Sequence, residues 1–292
     1  MKQIKRLISF LTLAAVIIGC LGSFAAYAAS GSARVGAYDP EKRLTALGFM
    51  DEGDVDPTAE KMSRALFVKT AVRIYMASSN IPAWGTSSFR DVSADSFGAA
   101  EIQFAANSGL IDSGELFYPG EPISYSDAER ILVKVLGYEP MAERSGYMAA
   151  ATSAKVFRGV NAAFLMQDAL KALDNALECP RMKGVAYGSG TRYETSDTDT
   201  LLLRAGFEKK HVTIETIDVA NSSITADGVP YKTENTDLGA IPEGTAYIYI
   251  RKSDDTVVFI ETRGETELLY DFIEYVNDSD NHGLIYGSGI DG

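Results

Sequence analysis

The chain has 292 residues and a formal net charge of −13, from 27 Lys and Arg against 40 Asp and Glu. That balance excludes a nucleic-acid binder, which neutralises phosphates with basic side chains, and 46% apolar with 23% charged residues excludes disorder and a multi-span membrane protein. Two Cys and two His are too few for a zinc ribbon, a haem attachment site or a disulfide framework.

The first 28 residues read as a secretory signal peptide. Lys2, Lys5 and Arg6 form a cationic start, Leu7 to Ile18 an apolar run, and Ala26-Tyr27-Ala28 a small-x-small cleavage site. A lipidated Cys20, from the lipobox-like Ile17-Ile18-Gly19-Cys20, and an uncleaved anchor are the alternatives. Cleavage after Ala28 removes three positive charges and no negative ones, taking the net charge from −13 to −16. It also leaves Cys179 alone, as a buried small hydrophobe rather than a disulfide partner.

From residue 40 to 178 the apolar residues recur at helical spacing. Three helices superpose with apolar positions at i, i+3, i+4 and i+7: Phe67, Thr70, Ala71, Ile74; Ala128, Ile131, Leu132, Val135; and Ala169, Ala172, Leu173, Ala176. Ser63 and Ser124 occupy the N-cap slots of the first two, Asp127 completes a capping-box-like start, and Leu165 is a poor cap for the third. A glycine-bearing loop precedes each: Leu47 to Gly53, Gly109 to Gly114 and Val156 to Val160. Before the second loop, Ile102, Ala105, Ala106 and Gly109 repeat the spacing, so the unit reads helix, Gly loop, helix, and three copies cover one another. Trp84, between the first two copies, staples a connector to the core.

After the boundary near Glu178-Cys179-Pro180, the pattern alternates as in strands from about residue 183. Asp227-Gly228 between extended runs is a hairpin signal. His211 to Val219, Ala246 to Arg251 and Thr256 to Ile260 complete a small antiparallel barrel or sandwich of about five strands, with Pro230 on an edge. Leu269, Phe272, Ile273 and Val276 suggest one helix, and Gly289 to Gly292 breaks off as a further strand begins, as in a shortened member of a longer architecture.

Residues 89 to 138 carry an ordered set of matches: Phe89-Arg90-Asp91-Val92, Phe97, Ile102, Gly109-Leu110-Ile111-Asp112-Ser113-Gly114, Phe117-Tyr118-Pro119 and Ile123-Ser124-Tyr125-Ser126-Asp127. With Leu136-Gly137-Tyr138-Glu139-Pro140, Ser145-Gly146-Tyr147 and Asp174-Asn175-Ala176-Leu177, they resemble the S-layer homology (SLH) module, the wall-anchoring repeat of many Gram-positive surface proteins, over about half the chain. The resemblance implies a mainly α N-terminal half of three pseudo-threefold helix-loop-helix repeats, at residues 37–80, 86–140 and, in degenerate form, 141–180. A small antiparallel β module follows at residues 183–292.

The family's signature is Thr-Arg-Ala-Glu at the start of each second helix, where the Arg holds an acidic, often pyruvylated, wall polysaccharide. Here the copies read Ser63-Arg64-Ala65-Leu66, Ser124-Tyr125-Ser126-Asp127 and Leu165-Met166-Gln167-Asp168. The resemblance therefore implies a glycan site at Arg64, Ser63, Tyr125, Ser124 and Asp127. Tyr125 replaces one Arg, as a stacking or hydroxyl contact or as packing; Met166 replaces another as core filling; and Lys61 and Lys69 lie near Arg64 to help against the general acidity.

No catalytic signature accompanies His211 or His282, Asp278-Ser279-Asp280-Asn281 lacks the Gly and distant Glu of a calcium loop, and no phosphate loop occurs. The expectation is a secreted, non-catalytic protein of a Gram-positive cell wall or surface layer, without cofactor or metal. Its partner is the anionic secondary wall polysaccharide, with other surface proteins reached through the β module. A degenerate scaffold or surface-layer subunit making protein contacts is the alternative, and a wall hydrolase the least favoured.

Overall fold

The structure, a computed structural model, describes residues 38–81, 89–187, 190–234, 238–262, 275–277 and 284–286. The signal segment, Cys20, Trp84, Leu269 to Ile273, the Asp278 to Asn281 turn and His282 lie outside them. The chain divides into two compact units, and Tyr38–Arg263 forms the larger. Of the other, only an antiparallel pair is described, β8 (Tyr275–Asn277) with β9 (Leu284–Tyr286), so Val276 stands in a strand rather than in the expected helix.

In the larger unit, α1 (Pro40–Ala46), α2 (Arg64–Met76), α3 (Ala99–Asn107), α4 (Tyr125–Val135), α5 (Glu139–Ser145), α6 (Tyr147–Ala154) and α7 (Met166–Glu178) come first. α5 forms across the expected boundary between the second and third repeats, with Pro140 in its first turn, where a missing N–H costs nothing. α2 is central and buried nearly all round, from Ala65 to Ile74, because it packs on α3, α4 and α7. Between segments, α2 packs on α3, α4 on α6, and α7 on α1.

Local bonds recur at a spacing of 61 positions between the first two segments. After α1, Phe49 N–H bonds Leu44 O at 2.9 Å; after α3, Leu110 N–H bonds Ala105 O at 2.9 Å, with Gly48 and Gly109 left-handed at φ 78° and 74°. Asp51 pairs with Lys69 and Arg73 at 2.8 and 3.0 Å, and Asp112 with Arg130 and Lys134 at 4.0 and 3.7 Å. After α6, Lys155 ends the helix in the left-handed region at φ 59°, and Gly159 in the loop that follows is also left-handed, at φ 67°. There Asn175 stands in for the cation and donates to the carbonyls of Val156 and Arg158 at 2.9 and 3.0 Å.

The β part starts earlier than its alternation suggested. β1 (Pro180–Tyr187) and β2 (Gly190–Thr200) form a separate two-stranded arm, and Met182 N–H bonds Leu136 O at 2.9 Å. That approach needs Gly137, since a Cβ there would lie 2.3 Å from Met182 O. After a short α8 (Leu201–Arg204) come β3 (Phe207–Asp218), β4 (Ser223–Ala226), β5 (Val229–Lys232), β6 (Gly244–Arg251) and β7 (Thr256–Thr262), ordered β5-β4-β3-β6-β7 and antiparallel. Asp227 and Gly228 both have positive φ, at 49° and 74°, as the tight turn between β4 and β5 requires. Thr233 bridges Val257, and Glu234 N–H bonds Val257 O at 3.0 Å, so the end of β5 meets β7 and the sheet curls into a small barrel.

Alternation on β6 couples the halves. Ala246, Ile248 and Ile250 fill the barrel with Val212, Ile214, Ile224 and Val257, while Tyr249 points outward into the core that the helices build. Beside it lies Arg43 of α1, only 4% exposed, whose guanidinium bonds Asp174 and, at 2.8 Å, Glu178 of α7, and Tyr249 of β6; Glu261 of β7 lies 3.6 Å away. Burial disfavours its charge, but Asp174 alongside raises the guanidinium above its ordinary range, so Arg43 stays ionised. Replacing Arg43 with Ala leaves Asp174 buried without its counter-charge, and urea unfolding is expected to show a loss of about 3–5 kcal/mol.

Candidate functional site

The three aligned helix starts differ in what they present. Ser63 Oγ accepts from Leu66 N–H at 3.2 Å to cap α2, and Ser124 Oγ accepts from Asp127 N–H at 3.0 Å to cap α4. Leu165 has no such acceptor, and α7 is held instead by Asp168, whose carboxylate accepts from Leu165 N–H at 3.1 Å and from Asn161 at 2.8 Å. The backbone joins these starts: Arg64 N–H bonds Glu121 O at 2.8 Å, Ile123 N–H bonds Met62 O at 2.9 Å, and Met166 N–H bonds Glu60 O at 2.8 Å.

Four of the five predicted glycan residues therefore lie together. Ser63 and Arg64 at the start of α2 face Ser124 and Asp127 at the start of α4, and Ser63 bridges Pro122. Arg64 is half-buried: its Nε donates to Phe117 O at 3.0 Å, its Nη1 to Asp127 Oδ2 at 2.6 Å, and its plane lies 5.1 Å from the centre of the Phe117 ring. Asp127 thus corrects the capping-box expectation. Its carboxylate turns to Arg64 instead of back to the Ser124 amide, because a charged partner binds it more strongly than a neutral N–H.

Arg64 is positioned from below by a strap that sequence reading left without a role. Asp91 accepts from Phe117 and Tyr118 N–H at 2.8 and 2.7 Å, and, although desolvation opposes it, these bonds hold its carboxyl below the usual range. Ala65 N–H bonds Pro119 O at 3.1 Å. The strap leaves Tyr118 in the left-handed region at φ 60° and 55% exposed, one residue from the carbonyl that Arg64 holds. Phe117-Tyr118-Pro119 was visible as a motif, but no local signal ties it to Asp91, 26 positions upstream.

Of the other residues singled out, Tyr125 and Met166 take the packing roles given for them, and Lys69 departs from expectation. The Tyr125 ring is half-buried and packs on Phe157 and Phe164, with centroids 4.7 and 5.4 Å away. Burial, and secondarily Glu129, raise its hydroxyl's pKa. Met166 is buried in the core. Lys69 does not assist Arg64, being buried between Asp51 and Asp54 and under the Phe97 ring at 4.4 Å; Lys61 remains exposed. Cys179 is buried, which pushes its thiol up to about 11. His211 is exposed within β3, 5.0 Å from the Tyr247 ring.

No protein-family model matches the sequence. A surface layer protein of Brevibacillus choshinensis is 28% identical over 174 residues, covering 56% of this chain and 16% of its own length. A middle cell wall protein of Brevibacillus brevis is 28% identical over 177 residues, with the same shares. The chain thus spans about a sixth of the length of these relatives. It is a distant relative of surface-layer and cell-wall proteins, and its location is outside the cell, in the cell wall or surface layer of a Gram-positive bacterium.

The aromatic cluster sets what Tyr125 contributes. Tyr125→Ala opens a void against Phe157 and Phe164, and thermal and urea unfolding are expected to show a loss of about 2–4 kcal/mol, whereas Tyr125→Phe costs under about 1 kcal/mol.

Proposed function

We propose that this surface protein is non-catalytic and attaches non-covalently to an anionic secondary wall polysaccharide, of the kind that carries pyruvate ketals, through three SLH-type units: α1 with α2, α3 with α4, and α6 with α7. The observation that carries the reading is Arg64: a guanidinium at a capped helix start, 26% exposed along its side chain, whose Nη2 has no bond among the described residues. A planar fork with one arm held by protein and one arm open suits a carboxylate-bearing sugar. Asp127 works against it. Its charge partly neutralises Arg64, so an acidic ligand competes with Asp127 for the same donor edge.

A second reading, a surface-layer-type subunit whose contacts are with other proteins, is favoured by Tyr125 and Met166. Both stand where an Arg is wanted, and both are packed inward.

Sedimentation with purified cell walls separates the two. Under the attachment reading, Arg64→Ala lowers wall retention about tenfold or more, from loss of charge-assisted hydrogen bonds worth roughly 1.5–3 kcal/mol. Asp127→Asn retains as well as or better than the parent chain, and added salt weakens binding throughout. Equal retention of all three folded proteins removes Arg64 from the site, and absence of sedimentation leaves the subunit reading.

A further inference from the structure

The arm formed by β1 and β2 is the least covered part of the larger unit. Lys183 to Ala186 and Thr191 to Thr195 are exposed on both faces, and Val185 and Tyr193 are each 38% exposed. A lone two-stranded ribbon is marginal in water, and its outer edges present unpaired backbone groups. The edge of β1 is tied at Met182 to Leu136. Among the described residues, the outer edge of β2 pairs with nothing.

That edge reads Gly190-Thr191-Arg192-Tyr193-Glu194-Thr195-Ser196, which is nearly symmetric in type and antisymmetric in charge about Tyr193. Arg192 and Glu194 share one face, with Nε to Oε1 at 3.3 Å, and stand opposite Val185 and Lys183 of β1. Tyr193 stands on the other face, opposite Gly184.

We propose that this edge is a self-association site, where β2 pairs antiparallel with β2 of a second copy about a twofold axis at Tyr193. In that register Arg192 meets Glu194 of the second copy and Glu194 meets its Arg192. Each charge row then runs Lys183, Glu194, Arg192 and Val185 across four strands, alternating in sign. On the opposite face Tyr193 meets Tyr193, and Thr191 meets Thr195, pairs that favour sheets. The interface is isologous, as a twofold dimer requires, and the ribbon becomes a four-stranded sheet. The occupant is a second copy because the charge pattern is complementary to itself. The arm's Arg181, Lys183 and Arg192 also balance Glu194, Asp197 and Asp199, so an otherwise acidic chain, at −13, can approach itself there without repulsion. This inference goes beyond wall attachment, in which no residue of the arm takes part.

Sedimentation velocity of the purified chain, under reducing conditions from about 1 to 500 µM, tests it. The parent chain is expected to dimerise reversibly within that range. Arg192→Glu and Glu194→Arg, each alone, place like charges in both symmetric rows and weaken dimerisation about tenfold or more. Mixed in equal amounts, the two variants restore every row as an opposite pair and form a heterodimer at least as tight as the parent. A parent chain that stays monomeric, single variants that dimerise like the parent, or a mixture that fails to recover association each overturns the proposal.

Discussion

A buried positive charge organises the molecule. Arg43 sits where α1, α7 and the outer face of β6 and β7 converge, and its donors are divided among Asp174, Glu178 and Tyr249. Taking a guanidinium out of water is costly, and it persists only where carboxylates and hydroxyls arrive in fixed positions. Those partners lie 131 to 206 residues away in sequence. The arrangement therefore demands that the helices be assembled and the barrel docked at once, and makes the junction between them part of one core rather than a hinge.

How legible this was depends on range. The caps at Ser63 and Ser124, the left-handed Gly48 and Gly109, and the Asp227-Gly228 turn are local events, each settled by one side chain or one φ angle, and they stand where the sequence indicates. The barrel interior was readable from alternation at Ala246, Ile248 and Ile250. The Arg43 cluster was not, because nothing near Arg43 distinguishes it from a surface cation. Lys155 shows a different limit: a left-handed position need not be glycine when the residue is exposed and the turn bonds are made. The strands before residue 183 escaped because Pro180 to Thr200 forms a two-sided exposed ribbon, which has no buried face to impose a period.

The candidate site was legible in its residue types and not in its wiring. Ser63, Arg64, Ser124 and Asp127 do converge, yet the ion pair between Arg64 and Asp127 depends on how two helix starts, 61 positions apart, are laid side by side by the Met62 to Ile123 bridge. The partners of Tyr125 come from the loop before α7, and they convert a residue suited to stacking on sugars into one that stacks on protein.

That inward turn has a consequence for valency. Three exposed guanidiniums on one rigid scaffold would let each contact hold a polymer while another released, so residence time would grow multiplicatively with contact number. On the proposed reading, with Met166 in the core and Tyr125 packed on Phe157 and Phe164, a single copy would keep one such contact, and its tenure on a polymer would be set by one off-rate. Lasting occupancy would then have to come from joining copies rather than from adding grip within one.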